Sequence, residues 1–206
     1  MADPDRPQIV LITPPVIDLG SFPDQLAVLL DSTEVACVRL AAVGNDVDAI
    51  GRAADVLRAI AHDRDVALVI ERHQVLVGRH GLDGVHLTDA ARSVRAARKA
   101  LGADAIVGCY CANTRHDGIS AAEAGADYVS YGPVGALQIG DGTRAERDLF
   151  DWWFAMIEVP VVAEGGLDEA LVADLAPVVD FFAFGEEVWS APDPAARLRA
   201  LAAACG

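Results

Sequence analysis

The sequence predicts a closed (β/α)8 barrel on three observations. Short apolar runs alternate eight times with segments whose apolar residues recur at helical spacing. The run from Pro160 to Ala163 is followed by Gly165-Gly166, as expected for the seventh strand of such a barrel and its phosphate loop. Third, three helical segments end in a Gly-x-Asp triplet, at Gly81-Leu82-Asp83, Gly102-Ala103-Asp104 and Gly125-Ala126-Asp127. A recurring strand–helix unit favours a closed barrel over a doubly wound open sheet, which is the alternative.

Each predicted strand is an apolar run bounded by turn residues. The first is stopped by Pro14-Pro15, and several of the others follow a glycine that ends a helix in the left-handed conformation. The eight predicted strands are Gln8–Thr13, Val35–Leu40, Val66–Ile70, Gly84–Leu87, Ala105–Cys109, Tyr128–Tyr131, Pro160–Ala163 and Phe181–Phe184.

The connecting helices carry recognisable start signals. Ser21 is expected to cap the first helix, which has Pro23 in its first turn, and Asp46 is expected to cap the second. The glycine-rich stretch Val134–Thr143 follows the sixth strand, on the face where barrel active sites lie, and is either a mobile lid or a plain solvent loop. The aromatic stretch Leu149–Ile157 is predicted to be a helix packed on the barrel or on a partner subunit.

Length and charge restrict the classes of protein and of partner that the sequence allows. With 206 residues the chain fits one domain, residues 1–206, and its formal charge of −15 makes nucleic acid and anionic membranes poor partners. The sequence has no apolar run of membrane-spanning length, and Met1–Asp5 lacks a secretory signal. Cys109 and Cys111 are expected to be packed thiols, because four cysteines in such a chain do not form a disulfide framework. We therefore predict a cytoplasmic protein that binds a small molecule and could form a homo-oligomer.

Taken in order, the motifs resemble those of the thiamine phosphate synthase and thiazole tautomerase family of small barrels. The resemblance implies a barrel protein that, if it is an enzyme, is either a transferase or an isomerase. The family's synthase joins a pyrimidine diphosphate to a thiazole phosphate with the help of Mg²⁺. The motifs are Leu11-Ile12-Thr13, Gly84-Val85-His86-Leu87, Gly125-Ala126-Asp127, Gly132-Pro133-Val134, Pro160-Val161-Val162-Ala163 with Gly165-Gly166, and Asp193-Pro194.

The sequence departs from the family where the resemblance implies ligands for diphosphate and metal. A Gln-Arg-Lys motif after the second strand is matched by Arg39, Ala41 and Val43, and an Asn-Asp-Arg motif by Ile70-Glu71-Arg72. The remaining mismatches are Ala91 for a metal aspartate (with Asp89 nearby), Tyr110 for a pyrophosphate-binding serine, about Gly140 for a lid lysine, and Pro133 for the tautomerase histidine.

These departures predict a divergent barrel that binds a small heterocycle or its phosphate after both family chemistries have been lost. On that hypothesis no cofactor is needed and Mg²⁺ does not bind with useful affinity. Synthase activity would be suppressed by roughly four orders of magnitude or more, because the charge of departing pyrophosphate is poorly offset. Two alternatives stay open: an active thiamine phosphate synthase with rearranged ligands, and a non-catalytic protein that binds a ligand or a partner.

Candidate site residues lie at the predicted carboxyl ends of the strands. Glu71 could act as a general base, or it could simply pair with Arg39 or Arg72. His86 could face a ligand, or it could be a satisfied core histidine. The predicted substrate pocket comprises Arg39, Arg72, His86, Tyr110, Glu164 and Glu186, with Gly165 and Gly166 binding phosphate and no metal ligand.

Two adjacent glutamates follow the eighth strand. A carboxylate at a helix N-terminus can be a capping device, or it can occupy an anion site and exclude phosphate. Glu186 matches the family's phosphate-site serine, so we expect Glu186 to occupy the anion site and Glu187 to cap the helix.

Overall fold

The computed structural model describes residues 6–41, 43, 44, 46–136 and 143–206. Within these ranges, eight parallel strands form a closed barrel, each paired with the next, and β8 pairs with β1. The strands are β1 Gln8–Ile12, β2 Cys37–Leu40, β3 Ala67–Glu71, β4 Gly84–Leu87, β5 Ile106–Tyr110, β6 Tyr128–Tyr131, β7 Val161–Glu164 and β8 Phe181–Phe184.

Helices connect successive strands and form the outer layer. The α-helices are α1 Phe22–Ser32, α2 Val47–His62, α3 Gln74–His80, α4 Val94–Leu101, α5 Arg115–Ala124, α6 Arg147–Met156, α7 Glu169–Leu175, α8 Glu186–Trp189 and α9 Pro194–Ala204. Short 3₁₀ turns at Ala90–Arg92 and Ala176–Val178 precede α4 and follow α7. The predicted (β/α)8 barrel is confirmed, and the open doubly wound sheet is wrong because β8 closes onto β1 at Gln8 and Phe181.

Two apolar regions stabilise the barrel. The larger one lies between the strands and the helices and includes the fully buried Leu11, Leu26 and Leu57. The smaller one contains Val10 and Val162. Tyr128 packs against the smaller region. Most of the buried side chains among the described residues are apolar, and the buried polar ones are a minority.

The Gly-x-Asp triplets have a structural role. Gly81, Gly102 and Gly125 have positive φ angles of 63°, 86° and 99° at helix ends, a region that glycine enters at little cost. The carboxylate of Asp127 accepts a hydrogen bond of 2.7 Å from Val107 N, at the start of the preceding strand. Asp83 does the same for Leu68 N at 2.6 Å.

Asp180 repeats this arrangement before β8. Its carboxylate accepts a hydrogen bond of 2.7 Å from Val161 N, the first residue of β7. Asp104 occupies the corresponding place before β5, but within the described part of the chain its exposed side chain accepts no hydrogen bond. These carboxylates therefore hold strand pairs β3–β4, β5–β6 and β7–β8 at the amino end of the barrel.

Two predicted helix caps have different outcomes. The side chain of Asp46 accepts a hydrogen bond from Ala49 N, which confirms it as the cap of α2. Ser21 stands at the cap position of α1, but its hydroxyl donates to the carboxylate of Asp18 instead of accepting from the helix. Asp18 also accepts from Gly20 N, so the turn before α1 is organised by an aspartate that the sequence analysis passed over.

The aromatic stretch forms α6 as predicted. Trp153 and Phe150 are fully buried against the barrel, whereas Phe154 is 53% exposed. Of the stretch Val134–Thr143, residues 137–142 lie outside the described residues, and so does the lid-lysine position near Gly140. No helix within the described ranges has the length and apolar character needed to cross a membrane.

We expect D180A to destabilise the protein, because it leaves the N–H of buried Val161 without an acceptor. The expected loss in free energy of unfolding is about 1–3 kcal/mol, measured by urea unfolding. D104A is the matched control, since it removes the aspartate from a triplet without breaking such a bond. Equal stabilities of the two variants would contradict the role assigned to Asp180.

Candidate active site at the carboxyl end of the barrel

A cavity of about 450 Å³ lies at the carboxyl ends of the strands. A larger cavity of about 840 Å³ lies at the opposite end, around Gln8, Val35 and Ala36. Because (β/α)8 barrels place their chemistry at the carboxyl end, we assign the candidate site to the smaller cavity. Its lining residues are Ile12, Thr13, Pro14, Pro15, Arg39, Ala41, Tyr110, Pro133, Glu164, Gly165, Ala183, Gly185, Glu186, Glu187 and Trp189.

Arg39 is the buried cation of this site. Its side chain is 7% exposed, and its Nη1 donates a hydrogen bond of 2.7 Å to Glu164 Oε2. The carboxylate of Glu71 is 3.9 Å from Arg39 Nε, beyond hydrogen-bond distance, and Nε has no acceptor among the described residues. Arg39 Nε is therefore a buried donor without an acceptor in the described part of the chain.

The charge of Arg39 is maintained inside the barrel. Burial by itself would lower the pKa of Arg39, but the charges of Glu164 and Glu71 and the side chain of Tyr128 outweigh it, so the pKa is raised. The arginine is therefore a permanent cation at the floor of the cavity. Glu164, which the sequence analysis placed in the pocket, neutralises it.

His86 connects Arg39 to Tyr128 below the cavity. Arg39 Nη1 lies 2.9 Å from His86 Nε2, and His86 Nδ1 lies 2.9 Å from the Tyr128 hydroxyl. Because arginine can only donate, Nε2 accepts and Nδ1 carries the proton that it donates to Tyr128. Burial and the nearby Arg39 charge lower the pKa of His86 well below 6.5, so the neutral ring is favoured.

His86 is 1% exposed and does not line the cavity. The structure thus places it as a satisfied core histidine, one of the two interpretations left open by the sequence. The adjacent Gly108 makes room for this arrangement, because a Cβ there would lie 2.0 Å from the Tyr128 ring.

Glu71 and Arg72 lie at the end of β3. Glu71 Oε1 is 3.4 Å from Arg72 Nε, and the Glu71 side chain is 17% exposed. Arg72 adopts a φ of 65°, which is uncommon for a residue with a side chain, and its side chain is 53% exposed. Glu71 is therefore shared between Arg39 and Arg72, so the ion-pairing interpretation of this glutamate describes the contacts that are present.

Tyr110, which the sequence analysis placed in the pocket, lines the cavity. Its hydroxyl donates a hydrogen bond of 2.6 Å to Gly132 O, which fixes the ring between β5 and β6. Burial, together with the Glu164 charge, raises the pKa of Tyr110 to about 12, so the phenol stays neutral. Cys109 and Cys111 on either side are buried free thiols.

Three backbone N–H groups from the loops after β7 and β8 converge beside the cavity. We call the N–H groups of Gly166, Leu167 and Gly185 the anion cradle. The carboxylate of Glu187 occupies it, accepting from Gly166 at 2.6 Å, Leu167 at 3.1 Å and Gly185 at 2.9 Å. Glu186 is exposed and accepts no such bond through its side chain within the described ranges. The structure therefore gives the anion site to Glu187 instead of Glu186, and within the described ranges the Glu186 side chain takes neither of the two roles.

The carboxylates present fit Mg²⁺ better than the sequence suggested. The described residues contain no cluster of three or more metal-binding side chains, but Mg²⁺ typically takes one or two carboxylates and completes its shell with water and substrate phosphates. Asp89, after β4, has a buried Oδ1 without a partner in the described chain, while its Oδ2 accepts from Ser93. Together with Glu71, it supplies hard oxygen ligands at adjacent strand ends.

Sequence reasoning missed several features of the site. Trp189 lines the cavity and is fixed by a 2.6 Å hydrogen bond from its Nε1 to Ile12 O. Thr13 is buried and accepts from Ala41 N, which joins the ends of β1 and β2. The only available signal for Trp189 was its place one turn after the eighth strand.

The sequence of the chain is similar to a known protein family and to proteins from several organisms. A family model described as thiamine monophosphate synthase matches residues 9–186. The chain is 40% identical over 200 residues to the thiamine-phosphate synthase of Rhodospirillum centenum, covering 93% of this chain and 94% of the relative. It is 36% identical to that of Hyphomonas neptunium, covering 95% and 92%, and 33% identical to that of Erythrobacter litoralis, covering 95% of each.

A solved structure, the thiamine phosphate pyrophosphorylase from Pyrococcus furiosus, superimposes with a TM-score of 0.83. The two chains are 18% identical, and the superposition covers 96% of this chain and 95% of the other. At this identity the likeness concerns the fold alone. The closed barrel and its cavity at the carboxyl ends of the strands thus define a (β/α)8 barrel protein.

The family match and the three relatives are more specific. The chain belongs to the thiamine monophosphate synthase family. The predicted resemblance to that family is confirmed.

The prediction of a divergent barrel that has lost the family's chemistry is wrong. Relatives that are 33–40% identical over nearly their whole length are named thiamine-phosphate synthase, which favours the active-synthase alternative. The error came from treating each unmatched cation or carboxylate as a lost function. A site of this kind is defined by the groups that meet in space. Neither the burial of Arg39 nor the Asp89 Oδ1 that has no partner among the described residues was visible in the sequence.

We expect protonation of His86 to destabilise the protein in acid. Its pKa is lowered in the folded state, so its contribution to stability is present above pH 6.5 and is lost as the pH falls below 6.5. The free energy of unfolding should fall by up to about 1.4 kcal/mol per pH unit from this group alone. In H86Q, where an amide oxygen can accept from Arg39, this part of the pH dependence should disappear.

The measurement is urea unfolding of the wild type and H86Q between pH 7.5 and pH 5, values chosen on either side of about 6.5. H116Q, at an exposed histidine on α5, is the control, because it removes a histidine that contacts neither Arg39 nor Tyr128. Parallel slopes for the wild type and H86Q would show that His86 titrates normally.

Proposed function

We propose that the protein is a thiamine phosphate synthase, which joins a pyrimidine diphosphate to a thiazole phosphate and releases pyrophosphate. The observation that carries this proposal is the similarity to three proteins of that name over more than nine-tenths of the chain. The geometry supports it through a buried cation and an anion cradle that open into one cavity.

In this proposal Arg39 takes part in binding the diphosphate. Its Nε has no acceptor among the described residues, its charge is permanent, and its side chain lines the cavity. A fixed cation at the point where negative charge develops stabilises departure of pyrophosphate, because no reorganisation is needed at that moment. Arg39 thus supplies the positive charge that the family's basic residues provide at the positions occupied here by Ala41 and Val43.

Glu71 and Asp89 are the carboxylates that would hold Mg²⁺. When bound, the metal would supply further positive charge to the leaving pyrophosphate. Arg72, which matches the arginine of the family's strand-three motif, extends the positive charge at the end of β3 and pairs with Glu71. The sequence-based expectation that Mg²⁺ does not bind counted one carboxylate, and the unpartnered Oδ1 of Asp89 supplies a second.

The apolar part of the cavity would hold the rings of the substrates. Ile12, Pro14 and Trp189 form one wall, and Tyr110 and Pro133 also line the cavity. Trp189 and Tyr110 are each held by a hydrogen bond to a backbone carbonyl. Rigid aromatic walls exclude water from the reacting centre, which protects a carbon that is losing its leaving group from hydrolysis.

The remaining sequence predictions accompany this proposal. The substrates are small molecules, the −15 charge disfavours nucleic acid, and a cytoplasmic location and a homo-oligomer stay predictions. The exposed Phe154 and Met156 on α6 are the apolar side chains that a second copy could cover.

The proposal is tested with purified protein, the pyrimidine diphosphate, the thiazole phosphate and Mg²⁺. We expect thiamine phosphate at enzyme-like turnover, loss of that activity with a chelator, and growth of a synthase-null strain without thiamine. Absence of product together with failure to complement would refute the proposal. Activity that survives chelation would refute only the role given to Glu71 and Asp89.

We expect R39M to lower kcat/KM by about 10²–10³-fold, the usual effect of removing one charge-stabilising donor. R95A is the control, because Arg95 is an exposed cation on α4 and does not line the cavity. Since R39M leaves Glu164 unpaired, the double variant R39M/E164M keeps the fold testable by replacing the whole pair with apolar groups. A folded double variant with wild-type kcat/KM would contradict the role of Arg39.

A further inference from the structure

The carboxylate of Glu187 fills the place where a phosphate group would bind. We propose that Glu187 is a specificity-determining residue: an internal substitute for a phosphate monoester, which must leave the anion cradle before a substrate phosphate can enter. The inference rests on the proposed function only for the identity of the ester, a thiazole phosphate. The cradle and its occupant are present whatever reaction the protein catalyses.

The cradle is held in shape without Glu187. Gly165 and Gly166 have φ angles of 86° and 75°, and the N–H groups of Gly166 and Leu167 both reach one carboxylate oxygen, an arrangement that binds anions. On the other side, Gly165 O accepts from Val134 N at 3.0 Å and from Gly135 N at 2.9 Å. The loop after β6 therefore fixes the cradle from behind, and its donors stay in place when the carboxylate leaves.

The close approach of two glycines supports the same conclusion. A Cβ on Gly166 would lie 2.9 Å from Gly135 C, and one on Gly135 would lie 1.7 Å from Gly166 O. Side chains are excluded at both positions, so the backbone of the loop after β7 is locked against that of the loop after β6. This packing organises the cradle as a binding element and is independent of the side chain of Glu187.

Glu187 is held in the cradle by N–H groups alone. In the described part of the chain no basic side chain lies within 4 Å of its carboxylate, and the residue is half-buried and lines the cavity. A phosphate monoester carries up to two negative charges and three acceptor oxygens. It can therefore make the same three hydrogen bonds with more charge, and it reaches the cradle through the cavity that Glu187 lines.

Competition of this kind has a measurable consequence. When the binding-competent state is a minor one, the apparent dissociation constant rises in inverse proportion to the population of that state. A cradle that is empty in about one molecule in ten would weaken phosphate binding about tenfold. A ligand without a phosphate group does not need to displace Glu187, so its affinity is not reduced in this way. Glu187 therefore sets how strongly the protein prefers the phosphate ester to the free alcohol.

The chain supplies a matched control in the neighbouring Glu186. Glu186 lines the same cavity and carries the same charge, but it is exposed and its side chain takes no bond from the cradle. E186A therefore changes the charge of the cavity by the same amount as E187A and leaves the cradle filled. A purely electrostatic effect would appear equally in both variants.

The experiment is calorimetric titration of wild type, E187A, E187Q and E186A with inorganic phosphate, supported by melting temperatures with and without phosphate. We expect E187A to bind phosphate at least about tenfold more tightly than the wild type. Its melting temperature should also rise more than that of the wild type when phosphate is added. E187Q should show a smaller gain, because its amide oxygen still accepts in the cradle. E186A should differ from the wild type by less than about twofold.

Equal phosphate affinity in the wild type and E187A would overturn the inference, as would an equal gain in E187A and E186A. If E187A does not fold, E187Q decides the question by the same comparison. Failure of both variants to fold in phosphate buffer would also overturn it, because phosphate should fill the cradle. Since the probe is inorganic phosphate, these outcomes do not depend on synthase activity, and the two proposals can fail separately.

Discussion

The hydrogen-bonded ion pair between Arg39 and Glu164 is the interaction on which the rest of the site depends. It joins β2 to β7 across the barrel interior at 2.7 Å. A buried charge is costly unless it is paired, so the strands must bring these residues together for the barrel to be stable. His86 and Tyr128 extend the pair to β4 and β6, and Glu71 adds a carboxylate from β3. Five strands are thereby coupled around one guanidinium.

In this arrangement the groups that hold Arg39 in place bond to one nitrogen of its guanidinium and leave another nitrogen without a bond in the described part of the chain. Glu164 and His86 use one side of the guanidinium, so Arg39 is held rigidly while its Nε keeps no acceptor among the described residues. In the proposed function, one buried cation in surroundings of low dielectric constant would take the place of the several basic side chains in the family's motifs. In such surroundings each charge has a larger effect than in water. A site with few positive side chains can therefore still favour an anionic leaving group, even in a chain with a charge of −15.

The anion cradle beside the cavity is formed by backbone groups. The loops after β7 and β8 present N–H donors to Glu187, while the loop after β6 fixes them from behind. A buried cation and a set of backbone donors are thus both present at one cavity. In the proposed function, each would meet one phosphate-bearing group of the substrates.

The sequence alone determined the barrel, the end of the barrel that carries the site, and the family. Strand and helix periodicity, glycine helix ends and the order of the motifs are local signals, and the burial of strand faces specifies the register. Tertiary structure decided which glutamate fills the cradle, that Arg39 is buried and partly unpartnered, and that His86 lies below the cavity. These properties depend on distances between residues far apart in the chain. Adjacent glutamates have the same chemistry, and only the direction imposed by α8 distinguishes them.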